Sequence, residues 1–481
     1  MRLTGDDALK FDSFLPIYNW IYPISGKPSV DFVGKHAGDV FGKIGRARSR
    51  ALYVHIPFCE TICSFCPFVR AADHNNSIVN AYVNALVQEI ELKGKVSSLT
   101  STPIGAIFFG GGTPSLLEPQ HILTIGRALR NSFDIGECKE FSFEFEVKSV
   151  SEDRISAAKE IGVTHARFGA QTFSPVYRKL FNLTASIDQV RHAAVLLKQY
   201  FPYVSCDLLY GMHGQSEEDL QNDLQAACDL GLLNLDFYPI NNLVTQPRLH
   251  ADYRDEEMLP TSGLTKFYMN LFVRAFLHEK GFLPHNGHGY VKVDSDELKS
   301  DPVVTDRYSF VYHEHTLGYP GYDLLGFGVN AVSSFDSYVI SNSESREEYI
   351  HGLQQGHIRM QVSEHEPYID ACRAITLALP YHGSIQKDWV DWSLIPDDVR
   401  QRLDETIKHG LVTETDSTYL LTRYGWEWYS NLMYYLLPSR ERAGINAIIL
   451  NAVNDARRNI EISGLEGFYF EDRLANQHTG N

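Results

Sequence analysis

Long apolar stretches free of charge are missing from this chain: none reaches the roughly 18 residues that a membrane-spanning helix needs. Basic residues are also scarce, with 43 Lys and Arg against 60 Asp and Glu and a formal net charge of −17. So acidic a chain lacks the basic face that phosphate contacts require, which argues against a nucleic-acid partner. Cysteine is sparse, seven in 481 residues, and that odd, thin distribution excludes a disulfide scaffold. The opening MRLTGDDALKFDSFLP carries early acids and no apolar core, so no secretory signal is expected. No repeat or low-complexity tract occurs. Together these absences predict a cytoplasmic protein that neither enters a membrane nor grips nucleic acid; a monomer is expected.

What is present is a regular alternation. The 44% hydrophobic and 21% charged composition is that of a globular chain, and its length implies two or three domains. Residues 1–50 read as a lead-in, a helix or two packed on the main domain. Apolar β-rich runs follow at 51–56, 104–109, 141–147, 164–170, 203–210 and 233–240. Helical patterns lie between and after them at 76–96, 118–132, 152–161, 174–200, 217–230 and 262–280. Six strand–helix units predict a parallel sheet curved into a partial (β/α)6 barrel of TIM type, with its chemistry at the C-terminal strand ends. Beyond 285 the pattern changes to short strands and Gly-rich turns. Residues 365–435 then read as helix, hairpin, helix, a winged-helix-like layout, and 440–462 as one more helix. The expected division is 1–50, 51–285 and 286–481.

Three of the seven cysteines stand together after the first strand, as Cys59, Cys63 and Cys66. Zinc sites pair such cysteines with a second pair or with histidines, and nothing of that kind follows. Three thiolates on one short loop suit three corners of a [4Fe–4S] cubane, which usually takes four cysteines, so one iron is left open to a further ligand. The second strand ends in Gly110-Gly111-Gly112-Thr113, a run that either cradles a ligand with backbone N–H groups or makes a tight turn. Glu144 and Glu146 lie two apart on one face of the third strand. A buried acid needs a partner. For Glu146 that is a ligand ammonium, or an ion pair with Arg167 or Lys148. Arg167, Gly169 and Gln171 share a face of the fourth strand, and Asp207 stands near the end of the fifth. Gln171 and Asp207 suit ribose hydroxyls or strand-end caps.

The strings YVHIPFCETICSFC, FFGGGTPS, FEFEV, ARFGAQTF and CDLLYGMHGQ, in that order, resemble the radical S-adenosylmethionine (SAM) superfamily. More narrowly they resemble the oxygen-independent coproporphyrinogen III oxidase (HemN-like) family, closely over 51–245 and more weakly through Gly326-Phe-Gly328-Val329-Asn330-Ala331. The resemblance implies that Cys59, Cys63 and Cys66 hold the cluster. It places Phe65 beside the SAM adenine, with Tyr53 and Phe68 lining that pocket. Gly111, Gly112 and Thr113 would receive the SAM amino group, with Glu146 as its acidic partner, and Gln171 and Asp207 would hold the adenosine. Gly112, Asn241 and Val329 fall where a second SAM is contacted. The resemblance also implies a C-terminal α+β domain over the barrel, a flavodoxin- or ferredoxin-type electron donor, and a small aromatic or unsaturated substrate.

Two departures stand out. Phe68 occupies the place of the family's fourth cysteine, and Leu183 that of an arginine for the SAM carboxylate; Lys148 or Arg167 is the expected substitute. These departures predict a class C radical SAM methyltransferase or cyclopropanase, in which a 5′-deoxyadenosyl radical activates a second SAM for transfer to an sp² carbon of a natural product. The alternatives are tetrapyrrole chemistry, by coproporphyrinogen oxidation or anaerobic haem opening, and a haem-binding chaperone. For the last, His55, His213, His285, His288, His313 and His315 are possible ligands.

Overall fold

The computed structural model describes residues 29–458 apart from 69–70 and 73–74, together with Phe11, Phe14, Tyr22, Pro23 and Ile460. Its centre is a run of parallel strands: β2 (Ser49–Ile56), β3 (Ile104–Gly111), β4 (Glu140–Phe145), β5 (His165–Gln171), β6 (Tyr203–Tyr210) and β7 (Asn234–Pro239). These are the six expected strands. A seventh parallel strand, β10 (Tyr322–Phe327), pairs with β2 from the other side, with Gly326 opposite Tyr53. It comes from sequence beyond 285, where only short strands and turns were expected, so the sheet is continuous across that position. The architecture is mixed α/β, a partial TIM-type barrel.

Antiparallel strands extend both edges. Beyond β10 lie β11 (Val332–Phe335), β12 (Tyr338–Asn342), β13 (Ile358–Glu364) and β1 (Val30–Gly34); beyond β7 lie β9 (Gly289–Lys292) and β8 (Phe282–Pro284). Thus part of the lead-in is an edge strand rather than a helix. Phe11 packs on Trp428 and Phe14 on Tyr429, so these two residues join the C-terminal core rather than the barrel. Apart from Tyr22 and Pro23, the other lead-in positions before Ser29 lie outside the described residues.

Alternation decides which side chains face the helices. On β4 the rings of Phe141, Phe143 and Phe145 join the main core, while Ser142 and Glu144 point into the barrel. On β2 and β3 the outward Leu52, Val54, Ile107 and Phe109 join that core. The inward Ala51 and Ala106 form a separate small cluster with Leu324, against Tyr53, Val311 and Tyr312. Helix starts follow their caps. Ser186 with Gln189, and Ser216 with Asp219, make reciprocal capping boxes for helices Ile187–Tyr200 and Glu217–Asp229. The single helix expected over 174–200 is two, Pro175–Leu180 and Ile187–Tyr200. Asn182 breaks it with φ +59° and Ser186 restarts it.

The winged-helix-like module is present. Strands β14 (Ser384–Gln386), β15 (Val412–Glu414) and β16 (Thr418–Leu421) form a small antiparallel sheet in the order β14-β16-β15, flanked by helix Asp397–Lys408. Among the described residues no helix is long and apolar enough to cross a membrane.

Candidate functional site

The cysteine loop leaves the C-terminal end of β2 and is tied down along its length. Cys59 N–H donates to Ala71 C=O at 3.0 Å, and Ala71 N–H to Pro57 C=O at 2.7 Å. Ser64 N–H donates to Phe181 C=O at 3.2 Å, Asn182 Nδ2 to Ile62 C=O at 2.9 Å, and Gln246 N–H to Ser64 C=O at 3.2 Å. Three parts of the chain therefore fix the loop before any ligand arrives. Cys59 is buried; Cys63 and Cys66 are half-buried, joined by a turn in which Cys66 N–H reaches Cys63 C=O at 3.3 Å. Among the described residues no three His, Cys, Asp or Glu side chains converge as the ligands of a single metal ion. A cubane makes a different demand, one thiolate for each of three irons, and a donor set of three cysteines on one anchored loop fits it.

The glycine turn ending β3 packs directly on this loop. Gly112 N–H donates to Ile56 C=O at 2.7 Å. A Cβ on Gly112 would lie 2.6 Å from Phe58 O and 2.8 Å from Ile56 O, both backbone atoms. Gly111 has φ +107°, and a Cβ there would strike the His55 ring at 2.5 Å. Thr113 follows, buried. Gly328, just after β10, completes the rim: a Cβ there would meet His55 O at 2.6 Å. Val329 is buried beside it, and its N–H reaches Tyr82 Oη at 3.2 Å. The seventh strand thus carries Val329 to the same end of the barrel as the cysteines.

Of the two acids read from the third strand, Glu146, just past the end of β4, is committed locally. Its carboxylate caps a short turn, accepting from Lys148 N–H at 2.9 Å and Ser149 N–H at 3.0 Å. Glu144, on the same face of β4 as the fully buried Glu140, points inward. A Cβ on Gly110 would lie 3.0 Å from its Oε2. Burial, then the charge of Asp207, push its carboxyl up to about 8, against the pull of Arg167 and the Gly111 N–H. Neither expected replacement for the missing arginine is spare. Lys148 Nζ pairs with Glu60 at 2.7 Å, and Arg167 Nη2 pairs with Asp207 at 3.1 Å and Asp236 at 2.9 Å. Leu183 sits in a small apolar cluster with Phe65, Leu209, Phe181, Met212 and Ile240.

The barrel interior is aromatic as well as acidic. Tyr53 stacks on Phe108 with centroids 6.2 Å apart, and Phe108 on Tyr312 at 4.6 Å. Burial, then Tyr312, Glu144, Tyr82 and Cys66, hold the Tyr53 phenol well above its ordinary value. Arg167 lies over Phe310, 4.4 Å from its centroid. Gln171 takes φ +65° at a bulge, and its amide folds back over Gly169. Asn241 Oδ1 accepts from Leu243 N–H at 3.1 Å in the loop after β7. Phe65 packs edge-on against Phe181 at 5.1 Å. Phe68, by contrast, is 56% exposed: it stands past the last cysteine, where the loop leaves the mouth.

The histidines divide. His315 bonds Ser49 Oγ at 2.8 Å, His55 bonds Tyr53 Oη at 3.0 Å, and His213 accepts from Thr261 N–H at 3.2 Å. His288 and His313 meet across Tyr381 Oη, at 3.1 and 2.8 Å. Burial pushes His285 and His288 down to about 3, and His313 down as well, so all three are neutral.

Asp236, Tyr238, Phe108 and Tyr312 were absent from the sequence-based set, and Glu144 was not assigned a ligand. Alternation along LNLDFYP would have found Asp236 and Tyr238, an inward acid and ring on β7. Tyr312 carries no local signal, because it enters from a helix far along the chain.

A model of the Radical SAM superfamily matches residues 53–227. An anaerobilin synthase from Escherichia coli O157:H7 is 32% identical over 44% of this chain, and the aligned stretch is 47% of that protein, about half its length. An oxygen-independent coproporphyrinogen III oxidase from Cereibacter sphaeroides is 25% identical over 72% of this chain and 76% of that protein. The solved structure of coproporphyrinogen III oxidase from Escherichia coli, a radical SAM enzyme, shares the fold: TM-score 0.66 at 21% identity, over 81% of this chain and 90% of that one.

Proposed function

On the premise that this chain is a radical SAM protein, with a [4Fe–4S] cluster and SAM as its cofactors, we propose that it is an enzyme acting on a tetrapyrrole or closely related flat, unsaturated ring. The single observation that carries the catalytic part is the seating of Gly112 on Ile56, which sets the glycine turn against the cysteine loop at one barrel mouth. When bound, cluster and SAM supply reductive cleavage of the SAM C5′–S bond and hydrogen abstraction. Cys59, Cys63 and Cys66 would hold the cluster. Gly111, Gly112, Thr113 and Glu144 would receive the SAM amino group, with Glu144 replacing Glu146 in that role. Gln171 and Asp207 would face the adenosine. Tyr53, Phe108 and Tyr312 offer ring faces to a flat substrate and exclude water beneath it. The tetrapyrrole chemistry in the names of the relatives supports this substrate class. An external one-electron donor supplies the reductant. The units proposed are 1–50, 51–285 and 286–481, the last also lending strand β10 to the barrel beside β2.

A second reading, methyl or methylene transfer from a second SAM, keeps one specific support. Val329 reaches the mouth on β10 and Asn241 stands on the β7 loop, where a second SAM would be held.

Anaerobic reconstitution with iron and sulfide, then SAM, dithionite and either coproporphyrinogen III or haem, tests both. 5′-Deoxyadenosine with decarboxylated or ring-opened product supports the tetrapyrrole reading. 5′-Deoxyadenosine together with S-adenosylhomocysteine supports transfer from a second SAM. Failure to form an iron–sulfur chromophore sinks every radical reading.

A further inference from the structure

Two lysines are buried among the described residues, Lys93 and Lys266. Lys93 is fully compensated: its ammonium lies 2.6 Å from Glu89 Oε1 and donates to Gly326 C=O at 2.6 Å. Lys266 is not. It stands in the first turns of helix Gly263–Glu279, is 4% exposed, and donates to a single acceptor, Ile240 C=O at 2.9 Å. No carboxylate pairs with it among the described residues, and burial alone pushes its ammonium down to about 7. A buried ammonium has three donors and needs a counter-charge.

Its place matters more than its isolation. The stem runs over Gly211, with Cγ 2.9 Å from where a Cβ would be, and the head reaches Ile240. Gly211 follows β6 and Ile240 follows β7, so the ammonium sits between two strand ends at the barrel mouth, the same end as the cysteine loop. Ile240 belongs to the small apolar cluster that also holds Leu183 and Phe65. That cluster occupies the position where an arginine was expected. Lys148, Arg167 and Arg178 are all engaged: by Glu60, by Asp207 and Asp236, and by the carbonyls of Ala170, Thr172 and Ala185.

We propose that Lys266 is a carboxylate anchor of the barrel mouth, its two open N–H donors taking a carboxylate of a bound ligand. The inference rests on the radical SAM reading, which supplies two sources of that group: the methionine end of SAM and the acid side chains of a tetrapyrrole. Lys266 is a binding residue here and takes no part in bond breaking.

The test is binding to the reconstituted full chain under anaerobic conditions, for wild type, Lys266→Met and Lys266→Arg. The probes are SAM, decarboxylated SAM, coproporphyrin III and its tetramethyl ester. Lys266→Met is expected to bind one carboxylate probe at least tenfold more weakly while its carboxyl-free counterpart is unaffected, with Lys266→Arg largely restoring affinity. Loss confined to SAM assigns the cofactor as source, and loss confined to coproporphyrin assigns the substrate. Unchanged affinity for all four probes overturns the proposal. Should the Met variant fail to fold, acetylation of wild-type Lys266 by acetic anhydride decides: protection by SAM or coproporphyrin supports it, and protection by neither overturns it. Wild type that binds no SAM at all overturns the radical SAM reading as well, and is distinct from a Lys266 effect.

Discussion

Arg167 donates from one nitrogen, Nη2, to Asp236 Oδ2 at 2.9 Å, across the barrel from β5 to β7, and reaches Asp207 on β6 on the way. One guanidinium therefore ties together three consecutive strands of the parallel sheet. The side chains of Arg167 and Asp236 are 6% and 2% exposed, so water does little to screen them. Removing the cation leaves the buried Asp236 carboxylate and the half-buried Asp207 carboxylate without a counter-charge. Arg167→Met is expected to lose about 3–5 kcal/mol of stability, the usual cost of breaking a buried pair. Asp236→Asn should lose less, since Asp207 still neutralises the cation. Urea unfolding followed by circular dichroism measures both; an Arg167→Met loss below about 1 kcal/mol, the surface-pair range, would refute this account.

Glu144 makes the site sensitive to pH. Its carboxyl is raised from an ordinary 4.5 to about 8, so the folded protein holds a proton that the unfolded chain has released. Its contribution to stability is present below about 4.5 and is lost as pH rises through about 8. The slope approaches ~1.4 kcal/mol per pH unit in that window. His285 and His288, pushed down to about 3, act in the opposite sense, but only below the ordinary histidine range. Between pH 6.5 and 8.5 Lys266, whose ammonium is pushed down to about 7, also acts in the opposite sense, so Glu144 is isolated by comparing wild type with a variant rather than by the wild-type slope alone. Glu144→Gln should flatten the decline in apo-protein stability over that interval, read as the difference between the two melting curves; parallel curves would rule Glu144 out as its source.

Much of the barrel was written in local pattern. Phe141, Phe143 and Phe145 alternate with Ser142 and Glu144, and that period alone gives the strand, its faces and its inward acid. The strand–helix rhythm up to residue 285 gave six of the seven parallel strands. The seventh escaped because its partner, β2, lies about 270 residues earlier in sequence, and pairing at that distance leaves no periodic trace. Long separation also hid Tyr312, which stacks on Phe108, whereas Lys266, 26 residues from Ile240, escaped because the burial of one helix lysine leaves no mark in the pattern. The partners of Lys148 and Glu146, which are Glu60 for the first and the backbone N–H groups of Lys148 and Ser149 for the second, were hidden for a local reason: which neighbour a flexible side chain chooses is not fixed by spacing.

The buried acid of helix Asn76–Gly94 braces the Val329 rim. Glu89 accepts from Gly328 N–H at 2.8 Å, Tyr349 Oη at 2.6 Å and Asn342 Nδ2 at 2.7 Å, and pairs with Lys93 at 2.6 Å. Glu89→Ala strands a buried ammonium and three donors, so a loss of about 3–5 kcal/mol is expected. Hydrogen exchange at Gly328 and Val329 should rise well before global unfolding. Unchanged protection there would mean the rim is held by other contacts.

Gly112 offers the sharpest steric prediction. A methyl group at this position meets Phe58 O, Ile56 O and Phe58 N at 2.6, 2.8 and 2.9 Å, all backbone, so no side chain can swing aside. The turn and the cysteine loop must part. Gly112→Ala is expected to destabilise the fold by about 1–3 kcal/mol, the range for overpacked sites. It should also weaken SAM binding and lower the iron bound on reconstitution, because the loop carrying Cys59 shifts with Phe58. Gly45→Ala, where a Cβ meets nothing within 4 Å, is the matched control and should leave iron content unchanged. Iron and sulfide assays on the two variants, beside a Cys59→Ala protein as the empty reference, decide the point: full iron content in Gly112→Ala would show that the turn and the cysteine loop are not mechanically coupled.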